Sequence, residues 1–128
     1  MAPRSSLDPA WFAGSLLGAV AVGLGAFGAH ALGDSVDAAS LQTWRTAAGY
    51  HLLHSVVLLV VAAHPRVTDL ARRLFVAGIL LFSGSLYLLV LTGERWLGAI
   101  TPLGGVCLIG GWLALAWTSR GRAVWKDY

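Results

Sequence analysis

Four long, nearly uninterrupted apolar stretches alternate with short polar segments along this chain. They run over residues of about 9–32, 44–64, 70–92 and 102–118, each close to the ~20 residues that a helix needs to cross the hydrocarbon core of a bilayer. The punctuation between them is helical. Pro65 stops the second stretch, because proline lacks an N–H and restricts the residue before it. Asp69 is placed to cap the third, and Thr101 followed by Pro102 is a strong start signal for the fourth. Gly33 to Thr43 is polar and reads as a loop with a short interfacial helix, capped by Asp37 or Ser40. The pattern predicts an all-α membrane protein, a four-helix antiparallel transmembrane bundle forming a single domain over residues 1–128.

Composition agrees. Of 128 residues, 57% are hydrophobic and 12% charged, with a mean hydropathy of +0.72, outside the range of soluble domains. The net charge of +3 does not indicate nucleic-acid binding, because the basic residues are scattered between apolar stretches and form no patch. A lone Cys107 excludes an intrachain disulfide or a thiolate cluster. Arg4 and the Ala29-His30-Ala31 pattern resemble a secretory signal. The first stretch exceeds the ~7 to 15 residues of a signal core, however, so a retained helix is expected.

The charges set a direction. Arg4, Arg66, Arg72, Arg73, Arg120, Arg122 and Lys126 fall on one side of the four spans, and only Arg45 and Arg95 on the other, a split of seven to two. With the positive side inside, both termini are cytoplasmic and the protein is a multi-pass protein of the cell inner membrane. Trp11, Trp44, Trp96, Trp117 and Trp125 lie near predicted span ends, as headgroup anchors would, whereas Trp112 lies deep.

Sixteen glycines fall largely within the spans. Gly14 and Gly18, Ala21 and Gly25, Gly25 and Ala29, and Gly110 and Ala114 make small-xxx-small pairs, expected to pack helices within the bundle rather than to drive dimerisation. Polar residues concentrate toward the outer side. His30 ends the first span; Tyr50, His51 and His54 lie in the second, Ser83, Ser85 and Tyr87 in the third, and Thr101 opens the fourth. Tyr50 with His54, and Ser83 with Tyr87, share helix faces at i, i+4 spacing. A histidine within a membrane needs a partner, water or a ligand. A tie between helices and a binding role are both open for His54.

A ligand-binding pocket is accordingly expected from His30, Tyr50, His54, Ser83, Tyr87 and Thr101. No acidic residue lies within a span, so no nucleophilic triad can be assembled and enzyme chemistry is disfavoured. The histidines differ too much in depth for a haem or metal site to follow from spacing, and no metal ligand set is assigned. Gly104 and Gly105 fit a close helix approach better than an anion site.

Four strings carry a family likeness: Gly25-Ala26-Phe27-Gly28-Ala29-His30; Thr46, Tyr50 and His54; Phe82-Ser83-Gly84-Ser85-Leu86-Tyr87; and Thr101-Pro102-Leu103-Gly104-Gly105 with Gly111-Trp112. In these the chain resembles, over nearly its whole length, the uncharacterised membrane family numbered 423 among the domains of unknown function, which includes transmembrane protein 256 of animals. The resemblance implies a small multi-pass protein of the bacterial inner membrane without a settled activity or cofactor, and makes His54, rather than His51, part of the motif.

Together these readings favour a non-enzymatic membrane protein that binds a lipid-like ligand or a larger membrane complex through the outer pocket. A haem- or quinone-binding redox accessory and a small transporter acting as a homo-oligomer are the alternatives. The bilayer itself is the expected surrounding. Reporter fusions at Gly33 and Tyr128 should give opposite sidedness, with Gly33 outside; the same sidedness for both would refute four spans.

Overall fold

The computed structural model describes residues 8–118 and 120. Arg4, Arg122, Trp125, Lys126 and Tyr128, which enter the reading of topology and span ends, lie outside the described residues. Four helices are long and apolar enough to cross a membrane. They are α1 (Pro9–Leu32), α2 (Ala38–Ala62), α3 (Asp69–Thr92) and α4 (Thr101–Thr118), the last preceded by a 3-10 turn, Arg95–Ala99.

Three of the helix starts carry a side-chain cap. The Asp8 carboxylate accepts from the backbone N–H groups of Ala10 at 2.8 Å and Trp11 at 3.2 Å, with Pro9 at the first helical position, where its missing N–H costs nothing. Asp37 accepts from Ser40 N–H at 2.7 Å. That bond holds the Asp37 carboxyl below the ordinary aspartate range, so the charged cap is lost only as pH falls into the acid range. Because the cap is effective at Asp37, α2 begins at Ala38 and absorbs the expected interfacial helix and the first turns before Trp44. Thr68, rather than Asp69, caps α3. Asp69 instead lies in the first turn and pairs with Arg72 at 3.3 Å. The end of α3 is closed by Gly93 at φ 73°, the left-handed position that glycine adopts without steric penalty.

Consecutive helices pack in order, and α2 and α3 form the middle of the bundle. The α1–α2 contact runs through small residues: Gly14 lies on Leu58 and Leu59, Gly18 on Ser55, and Gly28 on the Trp44 ring. The α3–α4 contact is tighter. Gly78 sits under Leu108, Gly111 under the Phe75 ring, and Gly104 directly against the backbone of Phe82. The small-residue pairs containing Gly14 and Gly18 therefore serve contact within the chain, and Gly104 is a site of close helix approach.

Two π-helical turns interrupt the α geometry, Gly28–Leu32 at the end of α1 and Ile79–Ser83 in the middle of α3. The second resolves a register problem. Phe75, Ile79, Ser83 and Tyr87 are all buried at strict spacings of four, and in an ideal α-helix such a row drifts by about 40° per step. A single π turn acts as one inserted residue and removes about 100° of that drift. All four side chains thereby stay on the inner face.

Trp44 departs from the expected anchor role. It is only 1% exposed, with its indole N–H donating to the Leu24 carbonyl at 2.7 Å and its ring against Phe27 and Tyr87. With α2 starting at Ala38, Trp44 lies well inside the span. Trp11, Trp96 and Trp117 remain exposed near helix ends, as interfacial indoles should.

A methyl group added at Gly104 would lie 2.7 Å from the Phe82 Cα, a backbone atom that cannot step aside. Gly104→Ala should cost about 1–3 kcal/mol of bundle stability, the usual penalty of overpacking. Gly49, whose Cβ position is open, should tolerate alanine within about 0.5 kcal/mol. Unfolding in detergent by thermal melting or denaturant distinguishes the two.

Candidate functional site

The buried polar groups of the bundle fall into separate sets, each tying particular helices. Ser83, held by the π turn of α3, donates to the Ala47 carbonyl of α2 at 2.8 Å. Ser85 donates to Phe82 O at 3.0 Å, which leaves its oxygen to accept from the Thr101 hydroxyl of α4 at 2.6 Å. Tyr87 reaches across to α2, its hydroxyl 3.0 Å from His51 Nδ1. His51 is 4% exposed; its Nε2 is buried without a partner at full hydrogen-bond geometry, with the Leu17 backbone of α1 close to the same ring.

His54 makes a different set. One ring nitrogen, Nδ1, is 2.7 Å from the Tyr50 carbonyl, and the other, Nε2, is 3.1 Å from the indole nitrogen of Trp112 on α4. A carbonyl only accepts and an indole N–H only donates, so the two bonds assign the tautomer: the imidazole is neutral, with its proton on Nδ1. Phe75 and Trp112 pack around it, the latter edge-on at 6.0 Å between centroids. Both nitrogens are thus engaged, and neither offers a free lone pair.

Of the residues expected to line a pocket, His54, Ser83 and Tyr87 are buried and Thr101 is half-buried. Tyr50 is 46% exposed, tilted against Phe82 and stacked beside His54, while His30 is exposed in the π turn at the end of α1 and joins none of these sets. The partners that complete the sets are His51, Ser85, Trp44 and Trp112. For Trp112 the signal is present in the chain, since it lies deep in its span and an indole N–H at depth requires an acceptor; Trp44 carries none, because it resembles an interfacial anchor. Among the described residues no three His, Cys, Asp or Glu side chains converge.

A cleft lies at the end of the bundle that carries both termini. It has a volume of about 550 Å³ and opens between the first turns of α1 and the first half of α3, with Leu58 of α2 among its lining residues. Pro9, Ala10 and Ala13 form one wall; Val76, Ala77 and Leu80 form much of the other; and Asp8, Asp69, Arg72 and Arg73 surround the mouth. At about 1.5 Å per residue the wall from Asp69 to Leu80 is about 16 Å tall, close to half of the ~30 Å hydrocarbon thickness. The two arginines differ. Arg72 is bound into the fold, donating to the Val61 and His64 carbonyls at the end of α2 at 3.3 and 3.4 Å as well as to Asp69. Arg73 is exposed and makes no ion pair or hydrogen bond with the described residues. In the sequence these arginines read only as topology determinants, because nothing in their spacing reveals a cleft between α1 and α3.

The His54–Trp112 bond should behave as a structural tie. In a double-mutant cycle of His54→Ala and Trp112→Phe, followed by unfolding in detergent, the coupling should be about 0.6 kcal/mol and below ~1.7 kcal/mol, the span measured for polar contacts between membrane helices. A coupling of zero would refute the bond.

Comparison with known proteins places the chain. The family described as Protein of unknown function (DUF423) matches residues 24–105. A UPF0382 membrane protein, YwdK, of Bacillus subtilis (strain 168) is 46% identical over 109 residues, covering 80% of this chain and 88% of the relative. UPF0382 membrane protein SAB0533 of Staphylococcus aureus (strain bovine RF122 / ET3-1) is 44% identical over 106 residues, covering 80% and 87%. UPF0382 membrane protein C1782.12c of the yeast Schizosaccharomyces pombe is 38% identical over 114 residues, covering 82% and 96%. No solved structure matches the chain significantly. With a matching family model over most of its length and relatives of this similarity, the chain belongs to the DUF423 family of uncharacterised membrane proteins.

Proposed function

We propose that this protein is a non-enzymatic inner-membrane protein, with both termini cytoplasmic, that holds one phospholipid in the cleft between α1 and α3. The observation that carries this reading is the cleft itself: an apolar recess about one leaflet deep, opening at a polar, charged mouth. An acyl chain meets Ala13, Val76 and Leu80 along its length, and the headgroup meets water at the level of Asp69 and Arg73. The site thus has the two zones of a lipid, in the right order and at about the right height.

The cleft is a better candidate than the polar residues of the core. Ser83, Ser85, Tyr87 and His54 already bond to other helices or to their own. A ligand seated there would have to break those bonds in a medium that supplies no replacement. The haem or quinone reading meets the same obstacle at His54, whose two nitrogens are occupied. An oligomeric transporter would likewise have to draw its polar path from side chains that close the bundle.

Filling the cleft is the direct test. Ala77→Phe adds bulk to the α3 wall, and native mass spectrometry of the protein in detergent with added phosphatidylglycerol should show bound lipid falling several-fold, at unchanged helicity and melting temperature. Unchanged lipid occupancy in a folded Ala77→Phe protein would overturn the reading.

A further inference from the structure

We infer that the cleft selects anionic phospholipids, with Arg73 binding the headgroup phosphate; this deepens the proposed lipid-binding role and rests on it. The inference comes from how the four charges at the mouth are used. Asp8 is directed to its own helix, accepting two backbone N–H groups of α1. Asp69 and Arg72 form an ion pair, and Arg72 also closes the end of α2 through two carbonyls. Those three groups have work inside the fold. Arg73 is left as a full positive charge on the rim, exposed and without a bonding partner among the described residues.

The adjacent arginines are separated because successive helical residues point about 100° apart. Arg72 therefore turns toward the end of α2, while Arg73 stays at the lipid-facing rim. The wider field has the same sign: this end of the bundle also carries Arg66 and Arg120, and cations at a membrane surface attract anionic lipids. A guanidinium matches a phosphate diester through paired N–H donors, and an anionic headgroup carries no ammonium to offset the charge of that diester. Below it Val76, Ala77 and Leu80 are apolar, which requires an acyl chain and makes free phosphate a poor occupant.

The test compares lipids with identical acyl chains and different headgroups. Wild type, Arg73→Gln, Arg73→Lys and Ala77→Phe would be titrated with phosphatidylglycerol, phosphatidylcholine and phosphatidylethanolamine, reading bound lipid by native mass spectrometry. Melting temperature serves as the control for folding. The wild type should prefer phosphatidylglycerol about five-fold, the effect of one basic residue near a membrane surface. Arg73→Gln should bring that preference to near parity, lowering phosphatidylglycerol binding several-fold and phosphatidylcholine binding by less, and Arg73→Lys should retain most of it. Equal binding of all three lipids by wild type and Arg73→Gln, still reduced by Ala77→Phe, would overturn the headgroup assignment and leave the cleft reading intact. Preference for phosphatidylethanolamine would also overturn it, pointing to the mouth carboxylates as an ammonium site. No bound lipid, or binding indifferent to Ala77→Phe, would overturn both.

Discussion

The close approach of Gly104 to the backbone of Phe82 is the contact on which most of the arrangement depends. Within lipid, apolar side chains lose little by facing hydrocarbon, so helices gain little from hydrophobic burial and must gain from contact area and from polar bonds. A backbone-to-backbone approach maximises the first, and it occurs at the π turn of α3. The same turn corrects the drift of the row from Phe75 to Tyr87. Ser83 then reaches α2, Ser85 meets α4 and Tyr87 reaches His51. Without the inserted residue, the second half of α3 would be rotated by about 100°, and those hydroxyls would face lipid with no partners.

Packing at the two ends of the bundle follows from what fills the space between α1 and α3. Toward the loops that join α1 to α2 and α3 to α4, the Trp44 indole occupies it, seated on Gly28, bonded to Leu24 and tilted against the Tyr87 ring. A bulky ring bonded to one helix and packed on the other draws the two together. At the terminal end no comparable side chain stands between them. Gly14 keeps α1 close to α2 at Leu58 and Leu59, but α3 carries Val76, Ala77 and Leu80 toward the opening. The cleft lies between the first turns of α1, which pack on α2, and the first half of α3, which packs on α4.

Much of this was legible in the chain. Length and apolarity fix four spans, and Pro102 marks where the fourth begins, although Thr101 lies within that helix and its hydroxyl bonds Ser85 rather than capping. The start of α2 was less legible, because Trp44 resembles an interfacial anchor as strongly as a core residue. Its burial depends on Gly28 and Tyr87, which are distant in sequence. The i, i+4 relation of Tyr50 and His54 was readable, as was the shared face of Ser83 and Tyr87, but the identity of each partner was not. His54 finds Trp112 only after α3 and α4 have packed through glycines whose register includes a π turn, and spacing rules assume ideal α geometry. The cleft was invisible for a further reason: it lies between α1 and α3, and no residue in it is unusual for its position.

The arginines show how one feature serves two physical ends. Basic residues at this end favour its retention on the cytoplasmic side during insertion, an effect of charge count that is indifferent to where each side chain points. Once folded, direction matters. Arg72 adds a donor to the Val61 and His64 carbonyls at the end of α2, each of which also accepts a backbone N–H, and so ties the start of α3 to that turn. Arg73, one residue on, cannot reach them and remains at the rim of an apolar recess. Under the proposed lipid-binding reading, a cation held at that height above a leaflet-deep groove attracts an anionic headgroup whose acyl chain the groove accepts, so that insertion topology and lipid selectivity would draw on the same short segment of α3.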